Sequence, residues 1–231
     1  GYDGKGQFVL RSEDQIDTAW AELGPAKSLI AESFVKFSRE VSIIAVRGQD
    51  GDVKTWALAE NHHHNGILSH SIVPAPNSTD LQPVAQDYIT RLLNHLNYVG
   101  VLTLELFVTE QGLYANEMAC RVHNSGHWSI EGAICSQFEN HIRAVAGLPL
   151  GATDVVRPTV MINIIGQHPK SEDVLALKGA HLHLYNKSER AGRKLGHITL
   201  MPNNSDELTV LCRQLAQILP VPLALTTDMN L

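Results

Sequence analysis

Two glutamates with eleven residues between them carry the strongest chemical signal in this chain. Glu105 and Glu117 lie in residues 101–118, VLTLELFVTEQGLYANEM. The first arm alternates as a strand: Leu102, Leu104, Leu106 and Val108 fall on one face, and Val101, Thr103, Glu105 and Phe107 on the other. The second arm puts Leu113, Ala115 and Glu117 on one face. Between the arms, Glu110-Gln111-Gly112 has the length of a three-residue hairpin loop with glycine at the left-handed position. That loop pairs Thr109 with Leu113 and Glu105 with Glu117, with Cβ atoms of the two glutamates about 4.5–5.5 Å apart. Like charges placed opposite each other destabilise a sheet. A shared proton, a nearby arginine or a divalent cation would offset the repulsion. Oxygen-only donors favour Mg²⁺ or Mn²⁺ over zinc. A one-residue slip of register would instead separate the carboxylates and leave one merely solvated.

Three further stretches could do chemistry. Gly1 to Gln7, GYDGKGQ, could turn backbone N–H groups towards phosphate oxygens with Lys5 adding charge; the plainer reading is a glycine-rich turn. His62, His63 and His64 are adjacent, so on an extended chain they point to alternate faces and do not converge on one ion. A single ligand-contacting histidine fits better than a zinc site. Residues 186–194 carry four of the chain's 18 basic residues. They form either a solvated turn that protects a sheet edge or an anion pocket.

These residues need elements to hold them. At 231 residues, 44% hydrophobic and 18% charged, the chain can bury a core of one large or two small domains. A net charge of −6 argues against a nucleic-acid partner. No apolar run reaches membrane-span length. Three widely spaced cysteines, Cys120, Cys135 and Cys212, indicate neither a zinc site nor a disulfide framework, and suit a reducing cytoplasm. Ser12 opens a helix through a capping box to about Leu23. Strands are expected at 28–32, 40–47, 53–59 and 67–73, then a helix at 79–97 with an apolar stripe of Ile89, Leu92, Leu93 and Leu96. A polar loop, Ala119 to His127, follows the hairpin and precedes a helix at 134–146. After a linker at 150–158 come strands at 159–165, 181–186 and 196–201 and helices near 171–177 and 206–219. The class is α+β.

The Glu-x₁₁-Glu pair followed by Arg121 resembles the metal-binding core of the ATP-grasp superfamily. More narrowly, GYDGKGQ, NEMACRVHNSGHW, SQFENHIRA and KSERAGRKLGH resemble the 5-(carboxyamino)imidazole ribonucleotide synthases of purine synthesis, from residue 1 to about 200. Cys120 and Ala191 stand where that family usually has proline. The resemblance implies a grasp core at 1–150, an antiparallel sheet with helices, and a small C-terminal α/β domain at 151–231. It implies an ATP-dependent ligase: ATP phosphorylates bicarbonate to carboxyphosphate, and the amine of 5-aminoimidazole ribonucleotide captures the carboxyl group or released CO₂.

Site roles follow from the same resemblance. Glu105 and Glu117 would hold Mg²⁺, with Mn²⁺ as substitute, and Asn116 would stand beside them at the ATP phosphates. Gly1, Tyr2, Asp3, Gly4, Lys5, Gly6 and Gln7 would cover those phosphates. Glu32, Ser33, Phe34 and Val35 would form the adenine hinge, Glu40 would take the ribose hydroxyls, and His63 would be the ATP-site histidine. Tyr2, Asp3, Arg121, His123, Asn124 and Ser125 would hold carboxyphosphate and the imidazole, with Arg121 and Asp3 catalytic. Lys187 and Arg193 would bind the 5′-phosphate. The family begins with a further N-terminal domain, so the chain reads as a fragment with little turnover of its own. A homodimer is expected for the full-length enzyme, in the cytoplasm. The rival expectations are another ATP-grasp ligase, or a nucleotide-binding fragment without turnover.

Overall fold

The structure, a computed structural model, describes residues 6–24 and 28–221. Gly1 to Lys5, expected to cover phosphates and reach the substrate, lie outside the described residues. A 3-10 turn, Glu13–Gln15, leads into α1 (Ile16–Leu23). Then follow β1 (Arg39–Arg47), β2 (Val53–Thr55), β3 (Ala59–His64), β4 (Ile67–Val73), α2 (Leu81–His95), β5 (Gly100–Thr109) and β6 (Gly112–Ala119). Next come α3 (Ser129–Gly132), α4 (Gln137–Val145), β7 (Thr159–Ile165), α5 (Ser171–Leu175), β8 (Ala180–Leu184), β9 (Lys194–Leu200) and α6 (Ser205–Ile218).

The described strands form one antiparallel sheet in the order β6-β5-β1-β3-β4-β7-β9-β8, with β2 paired beside β3 on β1. The sheet runs unbroken across residue 150, because β4 pairs with β7 from Val73↔Thr159 to His70↔Ile162. This is the α+β, antiparallel arrangement expected of the chain.

Register divides the sheet into two faces. On one, Val41, Ile43 and Ala45 of β1 and Leu102, Leu104 and Leu106 of β5 pack against Ala85, Ile89 and Leu93 of α2. The spacing of four along α2 is what one helical face provides. Leu96, expected in that stripe, is 43% exposed because the helix ends at His95. Further along the same face, Val160, Ile162, Ile164, Ile198 and Leu200 pack under Val174 of α5 and Leu208, Leu211 and Leu215 of α6. The other face is apolar only in part, where Ile44, Val46, Val101 and Met161 meet Trp56 and Trp128. Elsewhere it is polar, and it carries the site.

The hairpin departs from expectation in two ways that cancel. Its turn is Glu110-Gln111, tighter by one residue, so Thr109 pairs with Gly112 and Val108 with Leu113. A bulge between Ala115 and Glu117 then absorbs Asn116 and restores Glu105↔Glu117. As a consequence, Leu113 and Ala115 share the face of Val108 and Leu106, and Glu117 does not.

Other differences have local causes. Residues 28–32 form no strand: Ile30 is 88% exposed and no neighbouring strand takes the backbone up. Ser12 makes no capping bond, and the Gln15 side chain instead accepts from Arg11 N at 2.8 Å. The strand expected at 53–59 breaks at Trp56, and Leu58 N turns to Gln82 Oε1 at 2.7 Å.

Leu102 is fully buried between β1 and α2. Leu102→Ala is expected to cost about 2–5 kcal/mol through lost transfer energy and the cavity left behind. Urea unfolding would measure it, and a change below about 1 kcal/mol would show that this layer is not close-packed.

Candidate active site

The site grows out of the polar residues on one face of the sheet. Ser42 pairs with Glu105, Glu40 with Asn61, Asn61 with Ser71 and Glu105 with Glu117, so residues from five strands share that face. Buried polar side chains in central strands need partners, because each unmet group costs about 1–3 kcal/mol. They find them in one continuous line. Ser71 Oγ donates to Asn61 Oδ1 at 2.8 Å, and Asn61 Nδ2 donates to Ser42 Oγ at 2.9 Å. Ser42 Oγ donates to Ser125 Oγ at 2.8 Å, leaving the Ser125 hydroxyl proton for His123 Nδ1 at 2.9 Å. The backbone N–H of Ser125 also points at Nδ1. With Nδ1 an acceptor, Nε2 carries the proton, and it meets Glu105 Oε1 at 3.0 Å.

The turn that presents His123 is held from behind. Gln137, the first residue of α4, accepts from His123 N at 2.9 Å and donates to His123 O at 2.7 Å. His127 Nδ1 lies 2.9 Å from the same carbonyl. A Cβ on Gly126 would stand 2.6 Å from Gln137 Oε1, so only glycine lets this turn settle against α4.

Electrostatics follow from these contacts. Burial alone would raise the Glu105 pKa; the hydrogen bond from His123, with the charges of His63 and Arg121 beyond, outweighs it and holds the carboxyl below its usual range. Burial alone would lower His63; its bond to Glu40, and the charges of Glu40, Glu105 and Glu117, outweigh that and raise it. His63 Nδ1 sits 3.2 Å from Glu40 Oε2. The repulsion between the two glutamates is thus met first by histidine, a partner the sequence reading did not consider. Arg121 contributes charge while its guanidinium bonds Val122 O at 3.0 Å. Glu117 itself makes no hydrogen bond or ion pair among the described residues. No group of three or more His, Cys, Asp or Glu side chains there is placed to hold a metal ion by itself. The free donors are therefore carboxylate oxygens, a set that suits a hard divalent cation completed by phosphate and water oxygens.

The structure brings Glu40, His63, Glu105, Glu117, Arg121, His123 and Ser125 into one neighbourhood. The other two histidines go elsewhere: His62 pairs with Glu60 and stacks on His70, and His64 is exposed. Asn116 is the exposed bulge residue. Glu32, Ser33 and Phe34 are exposed and Val35 half-buried on an irregular stretch, pinned at its end where Phe37 stacks on Phe107 at 4.3 Å. Gly6 and Gln7 are exposed, with no hydrogen bond to the carboxylate pair. Lys187 lies over the Tyr185 ring at 5.5 Å, while Arg193 bonds Ser188 Oγ at 2.9 Å. Asn124 accepts from Lys194. Lys194, Gln137 and the Ser42–Asn61–Ser71 line were not singled out in the sequence. Polar residues interrupting apolar strands were the available signal. A cavity of about 290 Å³ lies beside the basic hairpin, lined by Ile67, Asn163, Gly192 and Leu219 among others, and does not reach the glutamates. The chemistry is read from the polar face instead.

Two family models match the chain, and several known proteins resemble it. The ATP-grasp domain family matches residues 1–138, and the phosphoribosylaminoimidazole carboxylase C-terminal domain family matches residues 159–210. An N5-carboxyaminoimidazole ribonucleotide synthase of Vibrio parahaemolyticus is 48% identical over 225 residues, covering 95% of this chain and 59% of the relative. The Pseudomonas aeruginosa protein of the same name is 52% identical over 200 residues, covering 87% and 55%. The crystal structure of the Thermus thermophilus synthetase superposes with a TM-score of 0.88 at 48% identity, covering 91% of this chain and 59% of that one. An Aspergillus clavatus synthase in complex with ADP and 5-aminoimidazole ribonucleotide gives 0.74 at 31% identity, covering 80% and 52%. The chain thus spans little more than half the length of these relatives.

Three buried imidazoles make a pH prediction. Burial first, then His62, pushes His70 down to about 3; burial, then Lys194, pushes His127 down to about 3; burial, then His127, pushes His197 down to about 2. Each has a lower pKa folded than unfolded, so its contribution is whole above about pH 6.5 and is lost as pH falls towards 3. His63, raised, works the other way: its contribution is whole below its unfolded value and lost as pH rises through its folded one. Three outnumber one, at about 1.4 kcal/mol per pH unit each. The urea midpoint is expected to fall from pH 7 to pH 5; an unchanged midpoint would contradict the burial of neutral histidines.

Proposed function

The chain belongs to the ATP-grasp family, and from that premise we propose that it is the nucleotide- and ribonucleotide-binding portion of an ATP-dependent carbon–nitrogen ligase. The reaction is carboxylation of 5-aminoimidazole ribonucleotide to its N5-carboxyamino form, with bicarbonate activated by ATP as carboxyphosphate. The observation that carries this reading is the Glu105–Glu117 cross-strand pair, with His123 bonded to one member and His63, its pKa raised by Glu40 and by both glutamates, beside them.

Each group has a role that its surroundings support. Glu105 and Glu117 would hold Mg²⁺, which when bound neutralises charge on the nucleotide phosphates. Glu105 stays ionised for that task because His123 holds its proton affinity down. His63, more readily protonated than an ordinary imidazole, would favour phosphate oxygens beside it, and Glu40 orients it as well as offering an acceptor for ribose hydroxyls. Arg121, exposed at the mouth of the 123–125 turn, would meet the carboxyphosphate anion, with His123, Asn124 and Ser125 positioning it and the imidazole. Glu32 to Val35 would form the adenine hinge. The glycine loop, Gly1 to Gln7, would cover the phosphates, and Asp3 would reach the imidazole substrate. Lys187 and Arg193 would take the 5′-phosphate. Residues 1–150 would make the grasp portion and 151–231 the small C-terminal one, with the full-length protein a cytoplasmic homodimer.

Titration calorimetry tests this directly. The chain is expected to bind ADP only with Mg²⁺ present, and Glu117→Gln to weaken that binding about tenfold or more, roughly 1.4 kcal/mol. It is also expected to bind 5-aminoimidazole ribonucleotide and not glycinamide ribonucleotide. Metal-independent ADP binding unaffected by Glu117→Gln would remove the metal assignment. The opposite ribonucleotide preference would point to a different ligase of the family.

A further inference from the structure

β6 is the edge strand of the sheet, and the chain leaves it after Ala119. From there it must turn back over the sheet, because His123 Nε2 meets Glu105 on β5 and Ser125 Oγ meets Ser42 on β1. For that crossing the ladder between β6 and β5 has to stop. Its last pair is Thr103↔Ala119, and the next hydrogen-bonded pair in the same register would join Val101 to Arg121. That pair is not made.

Two side chains take over where the ladder ends. Val101 N donates to His141 Nδ1 at 3.0 Å, a bond that the Arg121 carbonyl would receive if β6 ran on. Tyr98 Oη donates to Cys120 O at 2.8 Å, at the residue where the chain turns away. Cys120 has no ring to fix its φ, so this contact holds a peptide that the residue itself leaves free. His141 follows Gln137 by one helical turn on α4 and shares its face, and Gln137 holds His123 N and O. The approach of His141 to β5 is built in. Gly100 has a φ of +118°, and a Cβ there would stand 2.9 Å from both Nδ1 and Cε1 of the ring.

We propose that His141 and Tyr98 are positioning residues for the site. His141 takes the β5 N–H that would keep Arg121 in the ladder, and Tyr98 pins the Cys120 carbonyl at the turn. Together they release residues 120–125 from the sheet edge, so that Arg121 stands at the mouth and His123 reaches Glu105. This rests on the reading of that segment given above and adds two residues that lie outside it. His141 acts here as an acceptor for one backbone N–H. An uncharged side-chain amide could therefore replace it, and an alkyl group could not.

The test is NMR of the ligand-free chain, with the ring ¹⁵N shifts of His123 as the readout. In the wild type, a ¹⁵N–¹⁵N coupling across the hydrogen bond between the Val101 amide and His141 Nδ1 is expected. In His141→Leu, which keeps bulk and removes the acceptor, the His123 ring signals are expected to move. His141→Gln is expected to bring them most of the way back. If His141→Leu does not fold, Tyr98→Phe removes a single hydroxyl and carries the same expectation for His123. A merely structural histidine would lower the urea midpoint and leave the His123 signals in place. That result would overturn the proposal, as would a His141→Gln that moves them as far as His141→Leu, or a wild type without the coupling. Mg²⁺-dependent ADP binding by the wild-type chain reports separately on the ATP-grasp reading.

Discussion

The site depends on the direction of one hydrogen-bonded line. Ser71, Asn61, Ser42 and Ser125 each donate towards His123, and each except the first also accepts. The sense of the line is set at its His123 end, where the backbone N–H of Ser125 points at Nδ1 and the Glu105 carboxylate can only accept from Nε2. The consequence is a His123 whose proton is on the nitrogen facing Glu105. Four buried polar residues, from β4, β3, β1 and the 123–125 turn, serve to orient one imidazole. Removing a middle member would strand its neighbour at about 1–3 kcal/mol, so the line also locks the turn to the sheet. Register makes this possible, since Ser42 faces Glu105 and Asn61 faces Ser71 only in the observed pairing.

A sheet with one apolar and one polar face answers two needs at once. The apolar face, under α2, α5 and α6, supplies the burial that holds the strands in register. The polar face then places charges that would not choose to be neighbours. Glu40, Glu105 and Glu117 gather around His63, and the histidine responds by holding its proton more strongly. At the other end of the same face, burial keeps His127 and His197 neutral beside Lys187 and Lys194. One end of the face is therefore short of cations and the other short of anions, which suits a metal–nucleotide at the first and a phosphate monoester at the second.

Much of this was legible in the sequence, for physical reasons that also explain the rest. Alternation along Val101–Val108 gave the face of Glu105, because a strand's period of two leaves no freedom once Leu102, Leu104 and Leu106 are buried. Glu105↔Glu117 was reached through a wrong turn length, and a bulge at Asn116 restored the pairing; bulges leave no mark in a hydrophobic pattern. The expected strand at 28–32 failed because apolar composition says nothing about an available partner edge, and Ile30 found none. The His62–His63–His64 run was read correctly as divergent: His62 turns to Glu60, His63 to Glu40, and His64 is exposed. The donor line joins Ser42 to Ser125, 83 positions away, and the His197–His183 stack ends on Glu131, 52 positions from His183; a single sequence does not reveal such pairings.

The most direct test of this account is the tautomer of His123 in the ligand-free chain, read from long-range ¹H–¹⁵N correlation spectra. The account predicts a proton on Nε2, directed at Glu105, and a hydrogen-bond-accepting Nδ1. It predicts further that Ser42→Ala loosens this preference without touching Glu105 itself. A ring protonated on Nδ1 alone, or one indifferent to Ser42→Ala, would contradict the claim that the buried line of hydroxyls and amide sets the histidine that holds Glu105.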